Sequence, residues 1–157
     1  DRIQDVGGVR CLAVDPTGKF LAAGGGVPKS GGFVQGTWLL QVFDWSSGKE
    51  VSAIKGGNEN DGYVLDLAWH PAGFVMAVAS GQPGMGTLFF QRPGDGAPFF
   101  RTNVMPNCHA LDLHPNGTRL VVAATNANSA GNGRVKGRGG EYPANVSPLH
   151  YWEFPKG

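Results

Sequence analysis

The chain has 157 residues, with 26 glycines, 11 prolines and a formal net charge of +1. This length suffices for one domain with a buried core, and the glycine and proline content favours an all-β fold with many turns over a helical fold. A net charge this close to zero gives no electrostatic basis for nucleic acid or a membrane surface as a general partner, and no apolar run is long enough to span a membrane.

The first third of the chain predicts an isolated strand followed by a group of four strands. Residues 1–6 are expected as the isolated strand, with Gly7-Gly8 as the turn that follows it. Short runs of aliphatic and aromatic residues separated by turn residues then predict strands at 9–14, 19–23, 37–44 and 49–54. The glycine-rich stretch 24–36 between the second and third of these is expected to be a loop.

The remaining chain predicts a second group of four strands and a third group of three. The second group is expected at 63–69, 74–79, 87–91 and 98–103. The third group is expected at 108–113, 119–125 and 149–154, with a long polar loop over 126–147. The third group is therefore one strand short, and the isolated strand at the start of the chain is the strand that it lacks.

One turn pattern recurs at the same place in each group. It reads Asp15-Pro16-Thr17-Gly18, then His70-Pro71-Ala72-Gly73, then His114-Pro115-Asn116-Gly117. Proline fixes φ at the second turn position and glycine accepts the positive φ of a tight reversal, so each copy predicts a hairpin. A hairpin repeated at this spacing is typical of a propeller or another array of stacked sheets.

With these repeats in view, the chain resembles the WD-repeat β-propeller family. The dipeptide Phe43-Asp44 stands where that family has Trp-Asp, Trp152-Glu153 is a similar match in the third group, and Gln91-Arg92 has lost the motif. The aspartate of the family's hydrogen-bonded network has no counterpart before the third strands, where Gly36-Thr37 and Gly86-Thr87 stand instead. The resemblance covers nearly the whole chain.

The resemblance implies an all-β fold of four-stranded antiparallel blades, three to a chain. Blade 1 is expected at 9–56, blade 2 at 57–104, and blade 3, without its outer strand, at 105–157. Propellers of this family commonly start with the outer strand of the last blade, so residues 1–8 are expected to complete a last blade. Natural propellers have about four to eight blades, so three blades leave an open arc.

We expect the arc to close by self-association, with the first strand of one copy completing the last blade of the next. The residues expected at this junction are Arg2, Ile3, Gln4, Val6, Leu149, Tyr151, Trp152 and Phe154. A trimer of about nine blades is slightly preferred over a dimer of about six, because its tilt between blades departs less from that of seven- and eight-bladed rings. The alternative is that the chain is a piece of a longer propeller.

The sequence predicts no enzyme, metal or cofactor. It has no nucleophile-elbow, zinc-protease or phosphate-binding motif, and its four histidines lack the spacing of a zinc site. Asp66 and Asp112 fall in predicted inner strands, where propeller enzymes hold carboxylates, but such residues more often face channel water or cap a turn. Cys11 and Cys108 are expected to be free, structural cysteines. The expected function is a scaffold that binds an unidentified protein partner.

A basic, glycine-rich segment at 131–140 gives a third hypothesis. It carries Arg134, Lys136 and Arg138, which predict a loop able to track the phosphates of a nucleic acid or another acidic ligand. No aromatic side chain lies between these charges to stack on bases, and the rest of the chain is not basic. A solvated loop is the simpler interpretation, and nucleic acid is not expected as a partner.

Overall fold

The computed structural model describes residues 6–29, 37–56, 62–80, 86–105, 107–124, 134–135, 137–141, 144–145 and 147–154. Every regular element in these ranges is a β-strand. The strands are β1 Val6–Val14, β2 Phe20–Lys29, β3 Trp38–Asp44, β4 Glu50–Gly56, β5 Tyr63–His70, β6 Phe74–Ser80, β7 Gly86–Gln91, β8 Phe100–Thr102, β9 Ala110–Leu113, β10 Arg119–Ala123, β11 Arg134–Val135, β12 Ala144–Asn145 and β13 Leu149–Glu153. No helix long and apolar enough to cross a bilayer occurs in the described ranges.

The strands form two four-stranded sheets, one three-stranded sheet and a two-stranded hairpin. The first sheet has the order β1-β2-β3-β4, the second β5-β6-β7-β8 and the third β9-β10-β13, while β11 pairs with β12. Every pairing is antiparallel. In each large sheet the order follows the chain, as consecutive hairpins require. The all-β prediction is confirmed, together with the four antiparallel strands in each of the first two sheets.

The three predicted hairpin turns join β1 to β2, β5 to β6 and β9 to β10. Their glycines, Gly18, Gly73 and Gly117, have φ values of +72°, +83° and +71°. The amide of each glycine donates to the carbonyl of the first turn residue, at 2.8 to 2.9 Å. A side chain at these positions would be strained, which explains why glycine follows proline at the same spacing in all three turns.

The prediction that Gly7-Gly8 is a turn was wrong. Strand β1 begins at Val6 and runs through both glycines, and Val6 pairs with Lys29 of β2. A register shift between Val6 and Gly8 absorbs the positive φ of Gly8, which is +102°. The pair of glycines therefore marks a β-bulge inside a strand, and such bulges accept glycine as readily as turns do. The predicted isolated strand otherwise lies in residues 1–5, outside the described residues.

The prediction of a loop from residue 24 onward was also wrong in part, because β2 continues to Lys29. Its glycines lie where neighbouring groups approach the backbone closely. A Cβ on Gly25 would collide with the backbone of Gly8, and a Cβ on Gly26 would collide with the ring of Tyr63. These glycines serve close packing, so their abundance does not indicate a loop here. Residues 30–36 lie outside the described residues.

The remaining differences are small shifts of strand ends and one added hairpin. The predicted long loop at 126–147 contains the short pair β11 and β12, in which Arg134 is opposite Asn145 and Val135 is opposite Ala144. The predicted eighth strand shrinks to Phe100–Thr102. Strand ends depend on tertiary contacts and are the least predictable part of an element.

Two apolar clusters join the sheets face to face. The first cluster joins the first and second sheets and includes Ala22, Trp38, Leu40, Val42, Ile54, Val64, Leu67, Trp69, Val75, Ala77, Ala79 and Phe89. The second cluster joins the second and third sheets and includes Met76, Val78, Leu88, Phe90, Met105, Cys108, Leu111, Leu120, Val122 and Ala124. The second sheet is therefore covered on both faces, whereas the first and third sheets are each covered on one.

Candidate interaction surfaces on the end sheets

The face of the first sheet that points away from the second sheet is apolar and open. We call it the leading face, and it carries Leu12, Val14, Leu21 and Phe43. Leu12 and Val14 are 62% and 48% exposed. Their sequence neighbours Cys11 and Ala13 point the other way and pack on the first apolar cluster, as the alternation of a strand requires.

The face of the third sheet that points away from the second sheet is also open. We call it the trailing face, and it carries Asp112, Val121, Leu149 and Tyr151. Leu149 and Tyr151 are 57% and 72% exposed. An ion pair, from Arg119 Nε to Glu153 Oε1 at 3.2 Å, crosses the end of this face.

The strand register shows that the leading face is equivalent to the faces that the second and third sheets bury against their preceding sheets. Counting back from the turn prolines, Leu12 occupies the position of Leu67 in the second sheet and Leu111 in the third. Leu67 and Leu111 are only 6% and 8% exposed, because each packs on the preceding sheet. The same holds for Val14, whose counterpart Trp69 is buried. The leading face therefore has the residues of a sheet–sheet interface without the preceding sheet.

The trailing face has the complementary equivalence. Tyr151 lies opposite Val121 in the same register in which Val42 lies opposite Ala22, and Phe90 opposite Met76. Val42 and Phe90 are buried against the following sheet, at 0% and 6% exposed. The trailing face therefore has the residues of an interface without the following sheet.

Each open face contains a groove near its turn end. On the trailing face a groove of about 510 Å3 is lined by Asp112, His114, Pro115, Arg119, Leu120, Val121, Tyr151, Trp152 and Glu153. On the leading face a groove of about 320 Å3 is lined by Leu21, Phe43, Asp44, Trp45 and Gly48. Trp45 is 59% exposed, which is unusual for an indole and marks this groove as a surface for contact.

The predicted junction residues fall into three sets. Arg2, Ile3 and Gln4 lie outside the described residues. Val6 pairs within the first sheet. Strand β13 is the outer edge of the third sheet, and its Leu149 and Tyr151 side chains point to the trailing face, whereas Trp152 and Phe154 pack against the second apolar cluster. The backbone edge of β13 is thus unpaired on one side within the described sheet.

The two candidate carboxylates have different surroundings. Asp66 Oδ2 accepts a hydrogen bond from the amide of Leu111 at 2.9 Å, and Oδ1 accepts one from the amide of Leu67 at 2.9 Å. Asp66 therefore ties the inner strand of the second sheet to that of the third. Asp112 is exposed on the trailing face and does not share this arrangement. The structure does not bring the two carboxylates into one site.

The cysteines are free thiols inside the apolar clusters. Cys11 packs against the first cluster and Cys108 is fully buried in the second. Burial raises the pKa of Cys108 to about 11, and burial together with the nearby charge of Asp66 raises the pKa of Cys11 to about 11. Both thiols are thus protonated at neutral pH, as structural cysteines are. In the described ranges no three His, Cys, Asp or Glu side chains lie close enough to hold a metal ion.

The basic segment is only partly described. Arg134 lies in β11, Lys136 lies outside the described residues, and Arg138 is exposed in a turn. The Glu141 carboxylate lies against Gly137 and Gly139, and the Glu141 carbonyl accepts the Gly137 amide at 2.7 Å. An acidic group packed against the basic segment weakens its attraction for phosphates.

Sequence reasoning missed one set of functional candidates, namely polar contacts between successive turns. His70 Nε2 lies 2.8 Å from the carbonyl oxygen of Gly117, so the second turn is bonded to the third. The signal was present in the sequence, because His70 and His114 occupy the same turn position. The shared position does not by itself indicate a contact between turns, because the neighbouring turn is far away in sequence.

The chain is similar to one repeat family and to two solved structures. The sequence pattern described as "WD domain, G-beta repeat" matches residues 4–26. The β-propeller domain of Cps50 (Swd1) from Myceliophteria thermophila is 17% identical, with a TM-score of 0.52 over 76% of this chain and 35% of that one. Hsv2p from Kluyveromyces lactis is 16% identical, with a TM-score of 0.43 over 94% of this chain and 48% of that one. No curated protein matches significantly.

The matched repeat contains β1, the first turn and the beginning of β2, which is the hairpin that the turn pattern predicts. The chain spans about a third of the Swd1 domain and about half of Hsv2p. The likeness to Swd1 is a likeness of fold. Together, the repeat and the propeller-like sheets support the WD-repeat β-propeller family for this chain.

Proposed function

We propose that this chain is a non-enzymatic scaffold for protein–protein interaction, built as three blades of a WD-repeat propeller. The observation that supports the proposal is the exposure of the leading and trailing faces at positions that are buried in both internal interfaces. WD-repeat propellers typically mediate protein–protein interaction. Two open interface faces give this section of a propeller a means of associating with further blades.

In the form of the proposal that we favour, the further blades come from other copies of the chain. The edge of β13 accepts a strand from a neighbouring copy. This pairing completes the third blade and places the neighbour's first sheet against the trailing face. Because β1 takes up Val6, the closing strand has residues 1–5 available, a reach of about 17 Å when fully extended. Copies joined in this way form a closed ring, for which a trimer of about nine blades is slightly preferred over a dimer of about six.

The alternative is that the same blades are part of a longer propeller chain. The share of the Swd1 domain that this chain spans, 35%, supports this alternative. Both forms use the leading and trailing faces as blade interfaces and differ only in the origin of the neighbouring blade. Binding of nucleic acid through Arg134, Lys136 and Arg138 has no comparable structural support.

The solution mass of the purified chain tests the proposal. Light scattering on the full chain is compared with a variant that lacks residues 1–5 and with the variant Leu12→Glu, which places a charge on the leading face. We expect a mass of two or three chains that both changes reduce to one, because one removes the closing strand and the other charges the apolar interface.

The control is Val104→Glu, since Val104 is 80% exposed and belongs to neither apolar cluster. Its mass is expected to equal that of the parent chain. A folded parent chain that stays monomeric at all concentrations contradicts self-assembly and leaves the longer-chain alternative. An assembly that Leu12→Glu does not weaken contradicts the use of the leading face.

A further inference from the structure

The contact between the second and third turns is made by one histidine. The amide of Ala72 donates to His70 Nδ1 at 3.0 Å, so Nδ1 is an acceptor and Nε2 carries the proton. Nε2 donates to the carbonyl oxygen of Gly117 at 2.8 Å. The edge of the Phe154 ring meets the imidazole at a centroid distance of 5.0 Å and an angle of 62°. The second sheet thus supplies the donor, and the third supplies both a carbonyl and an aromatic ring.

The acceptor side of this contact has a close counterpart in the first sheet. Gly18 and Gly117 have φ values of +72° and +71°, and the strand residues that flank the two turns pair with the same loop length, Val14 with Leu21 and Leu113 with Leu120. The second turn differs, because it is one residue shorter. The first turn is therefore the one that presents a carbonyl in the geometry of Gly117.

The aromatic ring also has its counterpart in the first sheet. The amide of Phe154 donates to the carbonyl of Thr118 at 2.9 Å, and the amide of Trp45 donates in the same way to the carbonyl of Lys19 at 2.8 Å. Trp45 thus occupies the position of Phe154 next to the turn. Phe154 is half-buried against His70, whereas Trp45 is 59% exposed.

The donor side has its counterpart in the third sheet. The amide of Asn116 donates to His114 Nδ1 at 3.3 Å, as Ala72 does to His70, so His114 Nε2 carries the proton. His114 is exposed and lies in the groove of the trailing face. Within the described part of the chain its Nε2 has no hydrogen-bond partner. In the same described ranges no donor meets the Gly18 carbonyl, so the last repeat holds an unused donor and the first repeat an unused acceptor with its aromatic ring.

We infer that the trailing face docks the leading face of a second copy, with His114 Nε2 donating to the Gly18 carbonyl and its ring against Trp45. This inference rests on the proposed self-association and specifies its contact. The occupant is a second copy because the first sheet carries the counterparts of the two groups that the contact inside the chain uses, namely the longer turn and the aromatic residue next to it. The apolar residues continue the same interface, since Leu12 takes the place of Leu111, and Tyr151 that of Phe90.

A double-mutant cycle across the junction tests the inference. Sedimentation velocity gives the association constant of the full chain, of His114→Ala, of Trp45→Ala and of the double variant. Loss of one hydrogen bond and its ring contact is expected to weaken association about five- to tenfold in each single variant. The double variant is expected to be weakened by no more than about the same factor, because either change removes the same contact. His109→Ala, outside the turn, is expected to associate like the parent chain.

The outcomes separate this inference from the proposal beneath it. A chain that never associates overturns both. Association that His114→Ala leaves unchanged, or single effects that multiply in the double variant, overturns the His114 contact while self-association stands. All the altered residues except His109 are exposed in the isolated chain, so the variants are expected to fold, which circular dichroism checks.

Discussion

The two internal interfaces of this protein join the same kind of sheet by different means. Between the first and second sheets, Trp38 stacks on Phe89 at a centroid distance of 4.3 Å. Between the second and third sheets, the side chains of Asp66 and His70 reach across to backbone groups of the next sheet. The first interface also has a directed bond, from Trp69 Nε1 to the carbonyl of Ala13 at 3.0 Å, but its donor belongs to a large ring. In the second interface a carboxylate and an imidazole make the bonds. Repeats with the same strand order can therefore pack on their neighbours through different side-chain contacts.

The largest effect is expected from removing the ring of the first interface. Trp38 is 1% exposed and belongs to the first apolar cluster, so Trp38→Ala leaves a large cavity. We expect the free energy of unfolding to fall by about 3–5 kcal/mol. Denaturant unfolding measures it, at a concentration where the chain is monomeric. Trp45→Ala, which removes an exposed ring from the same sheet, is expected to cost less than about 0.5 kcal/mol. Similar losses in the two variants contradict the role given to Trp38.

A smaller effect is expected from weakening the second interface. Asp66→Asn keeps the shape of the side chain but replaces one acceptor with an NH2 group, which faces a backbone amide that also donates. We expect a loss of about 1–3 kcal/mol, because one of the two backbone hydrogen bonds is lost. Asp112→Asn is the matched control, since Asp112 is exposed in the neighbouring inner strand and is expected to tolerate the change. Equal unfolding free energies for the two variants would show that the bridge to Leu111 does not stabilise the interface.

A third effect, at alkaline pH, compares the two interfaces through their cysteines. Burial raises the pKa of both thiols from 9.0 to about 11, and Asp66 adds to the shift at Cys11. Between these pH values the unfolded chain loses the thiol protons while the folded chain keeps them, so stability falls as pH rises. Unfolding measured from pH 8 to pH 11 is expected to show this loss, and Cys11→Ser and Cys108→Ser each to flatten it. If the difference in unfolding free energy between the parent chain and each cysteine variant is the same at pH 8 and pH 11, the prediction is wrong.

The turns were predictable from the sequence because their chemistry is local. Proline and glycine fix the backbone of residues 15–18 wherever the strands go, and the same rule holds for the other two turns. The bonds of Asp66 and His70 were not predictable in this way. Each depends on a residue of the next sheet, Leu111 or Gly117, which lies 45 or 47 positions away along the chain. A repeat pattern shows which residues are equivalent, but only the packed sheets show which of them meet.

The open faces illustrate the same limit. An unpaired end was expected from the count of strands, because the third group has three. The identity of the exposed interface residues follows only from the register, which places Leu12 with Leu67 and Tyr151 with Phe90. Alternation along a strand indicates two faces without showing which of them a neighbour covers.

The glycine run in β2 has a consequence for how this protein tolerates mutation. Glycine-rich segments usually accept substitution readily, because they belong to loops with space around them. Here a methyl group on Gly25 meets the backbone of Gly8, and backbone atoms cannot rotate away as a side-chain end can. A library of random variants would therefore be depleted of changes at 24–26, and enriched for changes at the open turn position Gly96, where an added Cβ meets nothing. In this chain, glycine occupies some of the positions that are least tolerant of substitution.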